Sequence, residues 1–92
     1  MEPALGERPG EDLVRKGLAD LAAGRETTEA LVVSIGAARL RNAGLAVPEP
    51  LRDPEHRLYL LLAREHGDDA HSRYNALIRR LVSFERALEC GT

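Results

Sequence analysis

The chain has 92 residues, enough for one small domain, and is 43% hydrophobic and 30% charged, a globular composition. Its formal net charge of -2 argues against a dedicated binder of nucleic-acid backbone. Size, apolar run length and cysteine usage argue against a multidomain enzyme, a membrane-spanning protein and a disulfide-stapled miniprotein. The longest strongly apolar run, Leu58–Ala63, falls well short of the roughly 20 residues that span a bilayer. The one cysteine, Cys90, cannot form an internal disulfide, so a reducing cytoplasm is the expected compartment.

Residues 1–10 hold two prolines and two glycines among charged residues and are expected to form a disordered arm; residues 11–90 form the single domain. The acidic start carries no apolar stretch of the kind found in signal peptides. A first helix is predicted over Glu11–Ala23. Val14, Leu18, Leu21 and Ala22 recur there at helical spacing with Gly17 on the same face, and Gly24 stops it.

A second helix is predicted over Thr28–Ala43, capped by Thr27 and ended by Gly44. The β-branched Val32, Val33 and Ile35 make a short buried strand the competing reading. The alanines that follow favour the helix. Pro48 and Pro50 keep the next segment out of helix. Helix then resumes over Pro54–His66, with Asp53 as N-cap, Pro54 at N1 and Gly67 as stop. The run Leu58–Ala63 cannot face one side, so burial on more than one face is expected.

The last helix is predicted over Ala70–Cys90, capped by Asp68 or Asp69. Tyr74, Leu77, Leu81, Phe84 and Leu88 follow a 3-4-3-4 spacing, the seam of a helix packed against another helix. Arg73, Arg79, Arg80 and Arg86 lie outside that stripe. Four helices with short connections predict an all-α fold, a small antiparallel four-helix bundle that dimerisation would complete.

The polar turn Arg64-Glu65-His66-Gly67-Asp68-Asp69-Ala70-His71 holds the main candidates for chemistry. His66, Asp69 and His71 carry ligand types suited to zinc or a related transition metal. Arg64 and His71, six residues apart in between, resemble the Arg-x(4–6)-His signature of HEPN domains, small helical bundles that include RNases and partners of nucleotidyltransferases. That resemblance, over eight residues, implies RNA processing or a toxin–antitoxin role, with Arg64 stabilising phosphate charge and His71 moving a proton.

Other chemistry has less support. Ser34 lacks the glycine two residues before it that a hydrolase elbow needs. No glycine-rich phosphate loop or other cofactor motif is present. The first two helices have the length of a helix-turn-helix, but the second opens with Ala30-Leu31-Val32-Val33 rather than polar readers of base edges. Residues 1–29 carry four basic and seven acidic side chains, which also disfavours nucleic acid.

The leading expectation is a non-enzymatic helical module that forms a homo-oligomer or docks on a protein partner. Its expected interface is Tyr74, Leu77, Leu81, Phe84 and Leu88, with Arg79 and Arg86 on the flank. The same five apolar residues would equally serve as the core of one chain.

Overall fold

Gly10 sets the angle at which the chain enters its first helix. Its φ of 77° lies in the left-handed region, and a Cβ there would meet the Arg80 carbonyl oxygen at 2.5 Å. The computed structural model describes residues 8–91; residues 1–7 of the expected arm lie outside the described residues. Helix α1 (Glu11–Ala22) follows, and the Arg8 main-chain N–H donates to Glu11 Oε1 at 3.0 Å. That hydrogen bond, ahead of the nearby Arg15 charge, holds the Glu11 carboxyl below its ordinary range.

Helix α1 buries Leu13, Val14, Gly17, Asp20 and Leu21, so its inward stripe is turned slightly from the expected one and leaves Ala22 exposed. Gly17 is the point of closest approach to the next helix. A Cβ there would run into the Glu29 main chain and the Val33 side chain. Helix α2 (Thr28–Ile35) starts at Thr27, whose Oγ1 accepts from the Ala30 N–H at 3.1 Å. Ala30, Leu31, Val32 and Val33 have no solvent exposure. They form a helix, and no strand occurs among the described residues.

The predicted second helix does not run unbroken to residue 43. It divides at Gly36 into α2 and a short α3 (Ala37–Asn42). Gly36 leaves helical geometry at φ -94° and ψ 11°, while its carbonyl still accepts from Leu40 at 2.9 Å. Crowding accompanies the break: a Cβ on Gly36 would lie 2.5 Å from Glu85 Oε2 and 3.0 Å from Leu81 Cδ1.

The crossing segment after α3 is tied at two points. Ser34 Oγ donates to the Ala30 carbonyl at 2.8 Å and accepts the Leu51 N–H at 2.9 Å. Arg41 NH2 donates to the Val47 and Pro48 carbonyls at 2.9 and 3.1 Å. Helix α4 (Pro54–His66) has the predicted bounds. Asp53 holds the N-cap position in a left-handed conformation, yet its side chain makes no capping hydrogen bond; its carbonyl accepts from Arg57 at 3.1 Å.

A single 3-10 turn, Gly67–Asp69, joins α4 to α5 (Ala70–Gly91). Within that turn the Ala70 N–H donates to the Gly67 carbonyl. Helix α1 packs on α2, α2 on α4 and α4 on α5, while α5 reaches both α1 and α2. The core they share contains Val14, Leu31, Val32, Val33, Leu40 and Leu58. Among the described residues no helix is long and apolar enough to cross a membrane.

Candidate functional site

The surface of α4 departs most from what its sequence predicts. Leu58 and Leu62 face inward one helical turn apart, and Leu61 is half-buried. Tyr59 and Leu60, within the run expected to be buried on more than one face, are 42% and 51% exposed. They are the large hydrophobic side chains left open to solvent among the described residues. Adjacent in sequence, they point about 100° apart around the helix and so lie on either side of its outer surface.

Each residue borders its own groove. On one flank of α4, Arg57, Leu60, Leu61 and Arg64 line a groove of about 460 Å³ together with Glu26 from the α1–α2 turn. Arg57 NH2 sits 3.4 Å from Glu26 Oε1, whereas Arg64 forms no ion pair among the described residues. On the other flank, α4 supplies Glu55, His56 and Tyr59, and α5 supplies His71, Tyr74 and Asn75, to an open groove of about 420 Å³. Both volumes suit a side chain or a small molecule.

The Tyr59 and Tyr74 rings meet edge to face, with centroids 6.1 Å apart and planes at 86°. Burial pushes the Tyr74 hydroxyl pKa upward, and the Glu55 charge adds to that push. His71 Nε2 lies 3.2 Å from Asn75 Nδ2, one helical turn along α5.

The structure separates the residues of the polar turn. Arg64 borders the first groove and His71 the second, so they do not face a common cavity as an acid–base pair would. His66, Asp69 and His71 do not converge either. Among the described residues, no group of three or more His, Cys, Asp or Glu is placed to hold a metal ion. His66 instead lies 3.9 Å from its neighbour Glu65.

The α5 seam belongs to the core of the chain itself. Leu81 and Phe84 are 2% and 4% exposed, and Tyr74, Leu77 and Leu88 pack against the same cluster. Leu81 and Phe84 are therefore covered already and cannot be the free anchors of an interface. Arg79 and Arg86 are exposed. Arg80 reaches Asp12 at 3.2 Å and so ties α5 to α1.

Two charged clusters have no counterpart in the sequence reading. Asp20 is 2% exposed and accepts from Lys16 Nζ at 2.7 Å, Thr27 Oγ1 at 2.6 Å and Arg25 NH2 at 3.0 Å. The Lys16 and Thr27 hydrogen bonds are the main reason its carboxyl lies well below the ordinary range. Glu85 is 3% exposed and lies 3.3 Å from Arg39 NH1. Desolvation raises its carboxyl pKa despite that counter-charge. The available signal was position: Glu85 falls four residues after Leu81 and next to Phe84, inside the buried stripe of α5.

No protein-family model, curated protein or solved structure matches the chain.

Proposed function

We propose that this protein is a non-enzymatic interaction module, an antiparallel helical bundle that presents the outer face of α4 to a protein partner. The observation behind this reading is the exposure of the adjacent Tyr59 and Leu60 on a helix whose Leu58 and Leu62 are buried. A reducing compartment, the cytoplasm, suits a chain whose single thiol, Cys90, is exposed.

Charge selects among occupants. Arg57 and Arg64 stand three residues before and four after Leu60. An antiparallel pairing of two copies centred between Leu60 and Leu61 would set Arg57 of each against Arg64 of the other. A parallel pairing in register would set each arginine against itself. Both arrangements oppose like charges, which favours an amphipathic helix whose apolar anchors are flanked by carboxylates.

The test is a binding measurement on a partner captured by cross-linking at position 60. Leu60→Glu should abolish binding with an unchanged melting temperature, and Arg79→Glu should leave it intact. Loss with Arg79→Glu alone would move the docking face to α5 and overturn the α4 assignment. A dimer seen by native mass spectrometry at micromolar concentration, and dissociated by Leu60→Glu, would replace the acidic partner with a second copy.

A further inference from the structure

We infer that the groove between α4 and α5 is a binding site for an alkylammonium group, held against the faces of Tyr59 and Tyr74 beside the Glu55 carboxylate. Two rings at 86°, with centroids 6.1 Å apart, form the two sides of a corner whose open ring surface is rich in negative charge. Tyr59 is 42% exposed, so its face is accessible, and Tyr74 is held half-buried by the core behind it. The corner is thus rigid on the α5 side and open on the α4 side.

The rest of the lining has the matching charge. Glu55 contributes the one formal charge in the groove, and no Lys or Arg lines it. Glu55 is close enough that its field acts on the Tyr74 hydroxyl. His56 and the Asn75 side-chain oxygen complete the rim with groups that can accept a hydrogen bond from a ligand hydroxyl or amide, while His71 Nε2 is taken by the Asn75 amide nitrogen. An anion would face Glu55 and two electron-rich rings with no cation to compensate. A neutral apolar group would gain the rings but nothing from the carboxylate.

This site shares Tyr59 with the docking face but is not lined by Leu60, Arg57 or Arg64, so a variant at Leu60 tells the two apart. Two walls make a weaker trap than a closed aromatic cage, so the expected Kd for a simple quaternary ammonium is about 1 mM.

The experiment is a titration followed by the ring proton resonances of Tyr59 and Tyr74 in the intact chain. Three probes are compared: choline, its uncharged isostere 3,3-dimethylbutanol, and a short peptide carrying one trimethyl-lysine. Saturable shifts with either cation, and none with the isostere, are expected; the tighter cation identifies a free small molecule or a peptide side chain as the source. Glu55→Gln should weaken the cation about fivefold, Tyr59→Phe should retain it and Tyr59→Leu should lose it. Leu60→Glu should leave it unchanged, which separates this site from the α4 docking reading. Equal shifts with the isostere, or no response to either cation at tens of millimolar, would overturn the assignment.

Discussion

Arg39 holds Glu89 through two near-parallel hydrogen bonds, Nε to Oε2 at 2.7 Å and NH2 to Oε1 at 2.9 Å, and so fastens α3 to the far half of α5. The third guanidinium nitrogen, NH1, lies 3.3 Å from Glu85. The two carboxylates respond in opposite directions. Glu89 is exposed and its carboxyl is lowered by the Arg39 hydrogen bonds, whereas Glu85 is buried and its carboxyl is raised by desolvation.

A carboxyl raised on folding holds its proton more tightly in the native state. Its stability contribution is therefore retained below the ordinary glutamate pKa and is lost as pH rises through the folded value. Glu85→Gln keeps the volume and removes the ionisation. The variant is expected to melt a few degrees above the parent at pH 8, with the difference shrinking in acid. Thermal melts at the two pH values read this directly, and a lower melting point for the variant at pH 8 would refute it.

Asp20 has the opposite sign. Its carboxyl is depressed by Lys16, Thr27 and Arg25, so its contribution is present above the ordinary aspartate range and is lost as pH falls through that range toward the folded value. Asp20→Asn should lower the melting temperature by several degrees at pH 7. The gap between variant and parent should narrow in strong acid. A gap independent of pH would mean that the network acts by shape alone.

Leu81 distinguishes core from interface. It is 2% exposed within one chain and lies against Gly36. Leu81→Ala should cost about 3 kcal/mol of folding stability, the usual toll of a cavity at a buried leucine. Denaturant unfolding should show that loss at every protein concentration. If the loss instead grew on dilution, the seam would be serving a second copy.

Ser34 is spent on structure, with its hydroxyl bridging the Ala30 carbonyl and the Leu51 N–H. Ser34→Ala would leave the Leu51 N–H unpaired in a half-buried position and should cost about 1–2 kcal/mol. Amide hydrogen exchange should rise at Leu51 and its neighbours while the slow-exchanging amides of α4 remain protected. Unchanged exchange at Leu51 would show that the loop is held by Arg41 instead.

Much of the helical pattern was legible because punctuation is local. Gly24 ends α1, and Pro54 and Gly67 bound α4, through backbone chemistry that acts within a few residues. The break at Gly36 was not legible, since what crowds that position, Leu81 and Glu85, lies far along the chain on α5. The candidate groove was half visible: His71 and Tyr74 stood out on α5, but their apposition to Glu55, His56 and Tyr59 depends on how α4 packs. The same holds for Leu60, whose place in an apolar run reads as burial until the packing turns it outward. Asp20 shows the converse, a charged residue whose burial depends on partners contributed by the turn that follows it.

The contact at Gly17 has an evolutionary reading. Its missing Cβ is filled by the main chain of Glu29, which no change of side chain can move aside, whereas the space at Gly36 is taken by the side chains of Glu85 and Leu81. Descendants of a common ancestor that preserve this packing should keep glycine at 17 without exception. At 36 they have a choice, an alanine being admissible where a shorter residue stands at 81 or 85. One invariant position and one co-varying trio would therefore mark kinship after the apolar residues have drifted among equivalents.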